Sequence, residues 1–115
     1  YAQRYDANGT ALGTEFRVNT VTAGHQRYSH VDMDDSGNFV VTWTSQGQDG
    51  SAYGVYAQRY NAAGVAQGGE FLVNQFTTAH QRLSRVAHDA DGNFIIVWES
   101  DLQDGDGLGI YARQY

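Results

Sequence analysis

The polar triplet His-Gln-Arg recurs along the chain and is its first candidate for chemistry. It occurs at His25-Gln26-Arg27 and again, 55 residues later, at His80-Gln81-Arg82. Planar side chains that donate and accept hydrogen bonds suit the vicinal hydroxyls of a sugar. A residue that recurs in every unit of a repeat more often holds a loop in place. We favour that structural interpretation and keep sugar binding as the alternative.

Two glycine-rich loops carry a second repeated pair, Gln-Asp followed by Gly. Their amide and carboxylate groups could extend a sugar site, and the acidic loop around Asp104 is also a candidate for calcium. Together with the triplets, the candidate ligand-binding residues are His25, Gln26, Arg27, Gln48, Asp49, His80, Gln81, Arg82, Gln103 and Asp104.

Two acidic turns resemble the start of a calcium-binding loop of the D-x-D-x-S-G type. The candidate metal ligands are Asp32 and Asp34 in the first turn and Asp89 and Asp91 in the second. Calcium prefers several oxygen ligands with a bidentate carboxylate late in the loop, but Trp43 stands at that position and the second turn lacks the first aspartate. The alternative, which we favour, is that Asp and Asn cap tight turns through bonds to the backbone.

Catalysis has little support in the residue patterns. The chain contains neither the G-x-S-x-G nor the H-E-x-x-H motif, which carry nucleophilic and zinc-dependent hydrolysis in many enzymes. Two nearly identical units also leave little of the asymmetry that an active site needs. We therefore predict a non-enzymatic protein with no catalytic residue and no cofactor other than the candidate calcium.

The whole chain is built from one repeat, which makes it a repeat domain over residues 1–115. The segment Tyr1-Ala-Gln-Arg-Tyr5 returns as Tyr56-Ala-Gln-Arg-Tyr60. We divide the domain into repeat one (1–55), repeat two (56–110) and the start of a third repeat (111–115).

Each repeat contains four predicted strands, and the first set covers Ser29–Asp34, Asn38–Ser45, Gly54–Tyr60 and Glu70–Asn74. The second strand follows a turn ending in Gly-Asn and is apolar on both faces, which indicates burial on both sides. Trp43 and Trp98 close these strands and are predicted core residues. Four short antiparallel strands covered on both faces are typical of a β-propeller blade. The predicted fold class is therefore all-β, with two blades per chain.

Two blades would leave apolar faces in water, and propellers close with roughly four to eight blades. We therefore expect either a homo-oligomer, as a closed ring of three or four chains, or completion by a longer parent array. The sequence begins and ends within the third predicted strand of a unit. From this we expect a mature or excised piece.

Composition excludes several classes of protein. The net charge of −6 at pH 7 argues against a nucleic-acid partner. The absence of Cys excludes disulfides and thiolate metal sites. No apolar stretch is long enough to span a bilayer, so we predict no membrane insertion.

The motif string Y-A-Q-R-Y, G-x-E-F-x-V-N, D-x-D/S-G-N-F-x-V-x-W and Q-D-G resembles tandem repeats of large secreted or surface bacterial proteins. The resemblance covers the whole chain and implies β-propeller blades, which in such proteins often lie beside calcium-binding repeats or adhesin modules. It implies a secreted or cell-surface bacterial location. The predicted function is a binding or scaffold module, either a lectin-like one with repeated sites and a glycan or surface-protein partner, or a purely structural spacer.

Overall fold

The computed structural model describes residues 1–115 and is all-β, with no helix. Seven strands form two antiparallel sheets: sheet I, in the order β1-β2-β3-β4, and sheet II, in the order β5-β6-β7. The strands are β1 (Gln26–Met33), β2 (Phe39–Gln46), β3 (Tyr53–Tyr60), β4 (Phe71–Leu72), β5 (Gln81–His88), β6 (Phe94–Asp101) and β7 (Leu108–Gln114). The all-β prediction is confirmed.

Two strand boundaries differ from prediction for local reasons. The first strand of each sheet begins earlier than predicted. A β-bulge, at Tyr28 in β1 and at Leu83 in β5, interrupts the pairing, and the strand pairs again on the N-terminal side of the bulge. Both residues have positive φ. Strand β4 is shorter than predicted. The Asn74 side chain accepts the Val55 N–H at 2.7 Å, so the backbone ladder ends where this side chain replaces a carbonyl.

The turn between the first two strands of each sheet has the predicted conformation. Gly37 has φ 85° and Gly92 has φ 86°, which side chains with a Cβ rarely adopt. In the first turn the Asp34 N–H donates to the Asn38 carbonyl at 2.9 Å. The Gly-Asn pair therefore closes the hairpin that sets the register of each sheet.

Residues 1–19, here called the N-terminal hairpin, pack on one face of sheet I. Ala2 pairs with Phe16 and Tyr5 with Ala11. The hairpin buries one apolar cluster against sheet I, made of Val18, Phe39, Val41, Trp43, Tyr56 and Tyr60. A second cluster lies between the two sheets and comprises Val40, Val55, Ala57, Val73, Val86, Phe94, Ile96 and Trp98. Sheet I is therefore the middle of three layers, and the prediction that both tryptophans are core residues is confirmed.

The N-terminal hairpin occupies on sheet I the place that β3 and β4 occupy on sheet II. The Phe16 and Tyr60 rings lie 5.4 Å apart at 58°, and the corresponding Phe71 and Tyr115 rings lie 5.3 Å apart at 58°. The sequence repeat is thus also a repeat of packing geometry. This allows each contact of one layer to be compared with its equivalent 55 residues away.

Burial on both faces holds for β2 and fails for β6. Every residue of β2 from Phe39 to Ser45 is buried, whereas in β6 only the face of Phe94 and Ile96 is buried. Ile95 lies on the opposite face and is exposed. This is the apolar face that we expected two blades to leave in water, because nothing in these 115 residues covers the outer face of sheet II.

Candidate functional site

The acidic turns use their carboxylates to hold the backbone. Asp34 Oδ1 accepts the N–H groups of Ser36 at 2.9 Å and Asn38 at 2.8 Å, and Oδ2 accepts the Asn38 amide at 2.8 Å. Asp89 makes the same three bonds with Asp91 and Asn93. The Asn38 amide lowers the pKa of Asp34 below its usual value. This is the turn-capping arrangement that we set against calcium.

The other candidate metal ligands do not join these carboxylates. Asp32 faces sheet II, where its Oδ2 accepts the His88 N–H at 2.6 Å and lies 3.2 Å from His88 Nδ1. Burial acts to raise the pKa of Asp32, but the hydrogen bonds from His88 outweigh it and the pKa is lowered. Asp91 is exposed. No group of three or more His, Cys, Asp or Glu side chains is arranged to hold a metal ion.

The glutamines of the repeated triplets hold the loops that precede β1 and β5. Gln26 donates to the Ala23 carbonyl and Gln81 to the Thr78 carbonyl, both at 2.8 Å. Gln81 is fully buried and also lies 3.5 Å from Asn74 Nδ2. These contacts are the structural role that we favoured, and they leave neither amide free for a ligand.

The other residues of the triplets lie near the starts of β1 and β5, where the preceding loops enter the two sheets. The Arg27 guanidinium lies 5.5 Å from the Tyr53 ring centre, within cation–π range, and the Tyr53 ring lies 5.3 Å from the His80 ring. His25 is exposed, and Arg82 lies 3.8 Å from Glu99. Arg27, Tyr53 and His80 thus form a row of contacts that bridges the two sheets, with the two rings tilted by 37°.

The Gln-Asp loops behave differently in the two repeats. Gln48 accepts the Ser45 hydroxyl and donates to Glu70, both at 2.7 Å. Asp49 packs against Gly54, where an added Cβ would lie 2.5 Å from its Oδ2. In the second loop Gln103 Oε1 is buried without a partner, and Asp104 Oδ1 accepts only the Asp106 N–H at 3.3 Å. The Gln48 amide is therefore fully used in the first loop, whereas each loop retains one buried oxygen without a partner, Asp49 Oδ2 in the first and Gln103 Oε1 in the second.

Glu70 lies beside the Gln48 loop and connects several segments there, although our sequence analysis did not single it out. Its carboxylate accepts the Gln48 amide and the Thr20 N–H, each at 2.7 Å, and so ties sheet I to the loop after the N-terminal hairpin. Burial raises the pKa of Tyr56 to about 12, with further contributions from Asp49 and Glu70. The signal in the sequence is the recurrence of Glu-Phe at 15–16 and 70–71.

A polar groove of about 670 Å³ lies between the two sheets, at the end opposite the His-Gln-Arg triplets. Its polar lining includes Asn38, Arg59, Asn61, Asp91 and Asn93. Aromatic side chains of Phe71 and Tyr115 also line it. None of the predicted sugar ligands lies here, because the groove forms only when the turns of two successive repeats are brought side by side.

A second groove, of about 600 Å³, lies beside the N-terminal hairpin on the face of β1 and β2. Val31, Met33 and Phe39 line its floor, and Tyr1 and Tyr5 line its wall. Val31 and Met33 are exposed. This apolar groove lies where a further pair of strands would extend the N-terminal hairpin into a sheet like sheet I.

Comparison with models of known protein families, with curated proteins and with solved structures gave no significant match. No helix in the chain is long and apolar enough to cross a membrane.

Proposed function

We propose that the two sheets are consecutive blades of a β-propeller and that the chain is a non-enzymatic binding and scaffold module. Its propeller is completed by further copies, as a closed ring of three or four chains. A longer parent array would complete it in the same way. The resemblance to bacterial surface repeats supports a secreted or cell-surface location.

The observation that carries this proposal is a set of repeat-equivalent positions with opposite burial. On one face, Val40 is 2% exposed and its equivalent Ile95 is 41% exposed; Val55 is 0% exposed and its equivalent Ile110 is 73% exposed. On the other face, Val86 is 5% exposed and its equivalent Val31 is 56% exposed. Each of these three exposed residues thus has a buried equivalent, and the contact between the two sheets shows the shape of the cover that they lack.

The two exposed faces are also complementary in kind. Within the chain, the face of sheet I that carries Val40 packs on the face of sheet II that carries Val86. The exposed apolar surfaces belong to the same two faces with the sheets exchanged: Ile95 lies on the outer face of sheet II, and Val31 lies on the part of the sheet I face that the N-terminal hairpin leaves exposed. A second copy therefore supplies the required surface, and repetition of this contact generates a ring or a filament.

The test is the molar mass of the 115-residue chain, measured by sedimentation velocity and light scattering at micromolar concentration. We expect a discrete oligomer of three or four chains. A folded monomer at these concentrations would contradict assembly from copies. Growth without limit would contradict a closed ring.

Carbohydrate binding is a second candidate function, and the polar groove between the sheets favours it. Amide, guanidinium and carboxylate groups lie there beside aromatic rings, which is the combination that sugar hydroxyls and the apolar face of a pyranose require. A glycan array with wild-type protein, Arg59→Ala and the repeat-equivalent Gln114→Ala tests this. Loss of a signal only in Arg59→Ala supports the groove. An array without signal favours the purely structural spacer.

A further inference from the structure

Strand β7 has one open edge. Phe94 and Tyr115 exchange both of their backbone hydrogen bonds, at 3.1 and 2.8 Å. Because antiparallel residues alternate between the two edges of a strand, Ile110 and Ala112 direct their N–H and C=O groups away from β6. Sheet II has no strand on that side.

The equivalent edge of β3 is fully paired in sheet I. The Val73 N–H donates to the Val55 carbonyl at 2.8 Å, and the Val55 N–H donates to Asn74 Oδ1 at 2.7 Å. Ala57 pairs with Phe71. The segment Glu70–Asn74 thus supplies the fourth strand of sheet I, together with a side-chain cap.

The chain contains a second segment of this type, with several groups left without partners. Residues 15–19 read Glu-Phe-Arg-Val-Asn and repeat residues 70–74, Glu-Phe-Leu-Val-Asn. The N–H of Val18 makes no backbone hydrogen bond although Val18 is buried, and Asn19 donates two hydrogen bonds while its Oδ1 accepts none. Glu15 is exposed, whereas its equivalent Glu70 accepts two hydrogen bonds.

We infer that the segment Glu15–Asn19 of a second copy joins β7 as the fourth strand of sheet II. This inference rests on the proposed assembly and names its junction. The Val18 N–H donates to the Ile110 carbonyl, and the Ile110 N–H donates to Asn19 Oδ1. Glu15 accepts the amide N–H of Gln103, as Glu70 accepts that of the equivalent Gln48 in sheet I.

The inserted strand replaces the pairings of Tyr1–Tyr5 with equivalent ones, loses the Arg4 hydrogen bonds to the Ala62 and Ala63 carbonyls, and adds others. Phe16 is paired with Ala2 in the separate chain, and Ala112 occupies the position of Ala2 in the repeat. In the assembly β7 takes the place of Tyr1–Tyr5, so that the Phe16 pairing is kept with a different alanine. For the 115-residue chain, the bonds of Val18, Asn19 and Glu15 are then gained.

The register gives a cross-linking test in a chain without native cysteines. Tyr56 pairs with Leu72 in sheet I, so Tyr111 of one copy should lie opposite Arg17 of another. Such a non-hydrogen-bonded pair places its Cα atoms about 4.5 Å apart, within disulfide range. We expect R17C mixed with Y111C to form a mixed disulfide. The control is R17C mixed with D35C, in which the cysteine lies in an exposed turn. Cross-linking of the first mixture should be faster by roughly tenfold or more, as for a held pair.

A second measurement uses the unmodified chain and does not depend on the Tyr111 variant folding. Hydrogen exchange at the amides of Val18 and Ile110 should slow strongly when the protein is concentrated from the dissociated to the assembled state. An assembly in which both amides still exchange rapidly, or in which the two mixtures cross-link equally, would overturn the fourth-strand inference and leave the proposed propeller intact. A chain that stays monomeric would overturn both.

Discussion

Ile110→Ala and Val55→Ala form a matched pair that separates assembly from folding. The two residues occupy the same repeat position, but Val55 is fully buried between the sheets and Ile110 is exposed. Val55→Ala removes two methyl groups from the core, at about 0.8 kcal/mol for each buried carbon. With the cavity left behind, we expect the free energy of unfolding to fall by about 2 kcal/mol.

Ile110→Ala should leave the separate chain almost unchanged, because exposed substitutions usually alter stability by less than about 0.5 kcal/mol. In the proposed assembly a partner covers Ile110, and its truncation should cost about 3 kcal/mol per junction, the middle of the range for buried Ile→Ala changes. That cost corresponds to roughly a hundredfold increase in the dissociation constant.

Sedimentation velocity over a wide concentration range measures the association of both variants, and urea unfolding at the lowest concentration measures the stability of the separate chain. We expect Val55→Ala to lower the urea midpoint at every concentration. For Ile110→Ala we expect only the association to move to higher concentration. An Ile110→Ala protein that associates like wild type would refute the covered-face argument, whatever its stability.

The remaining predictions concern the core, the turns and calcium. Trp98→Ala and Trp43→Ala should each lower the free energy of unfolding by about 3–5 kcal/mol, and near-normal urea midpoints would contradict their core positions. The pKa of Asp34 and of Asp89 is lowered from 3.8 by the neighbouring Asn amide, so their contribution is present above that pH and is lost as the pH falls towards the folded-state values. Asp34→Asn should therefore show a smaller loss of stability on acidification than wild type. Millimolar calcium should leave the melting temperature unchanged, and a rise of many degrees that a chelator reverses would show that the acidic turns bind it.

Features that depend on neighbours in the sequence could be predicted from it. The alternation of Phe39, Val41 and Trp43 with Val40 and Thr42 defined both faces of β2. The Gly-Asn turns fixed the hairpins, because only a left-handed residue closes them without strain. These signals are local, and each occurs twice.

Features that depend on distant partners could not be predicted. Gln48 and Gln81 have the side chains of a sugar site, but their amides are used by Glu70 and by the Thr78 carbonyl. The polar groove was missed because it joins turns from two repeats. The apolar pattern around Ile95 predicted that this face requires a cover, but the sequence does not say which chain provides it.

The proposed ring contains two kinds of junction, one between the two sheets of a chain and one between copies. They differ in chemistry, and this difference determines which faces meet at each. Within the chain, Asp32 of sheet I meets His88 of sheet II through hydrogen bonds at 2.6 and 3.2 Å. At the junction between copies, the repeat places Ala87 opposite Met33, so that contact is apolar. Asp32 is engaged by His88 of the same chain, so the face of sheet I that carries it is not available to another copy. The contact between copies therefore uses the two remaining faces, that of Ala87 on sheet II and that of Met33 on sheet I, and burying them leaves no carboxylate without its partner.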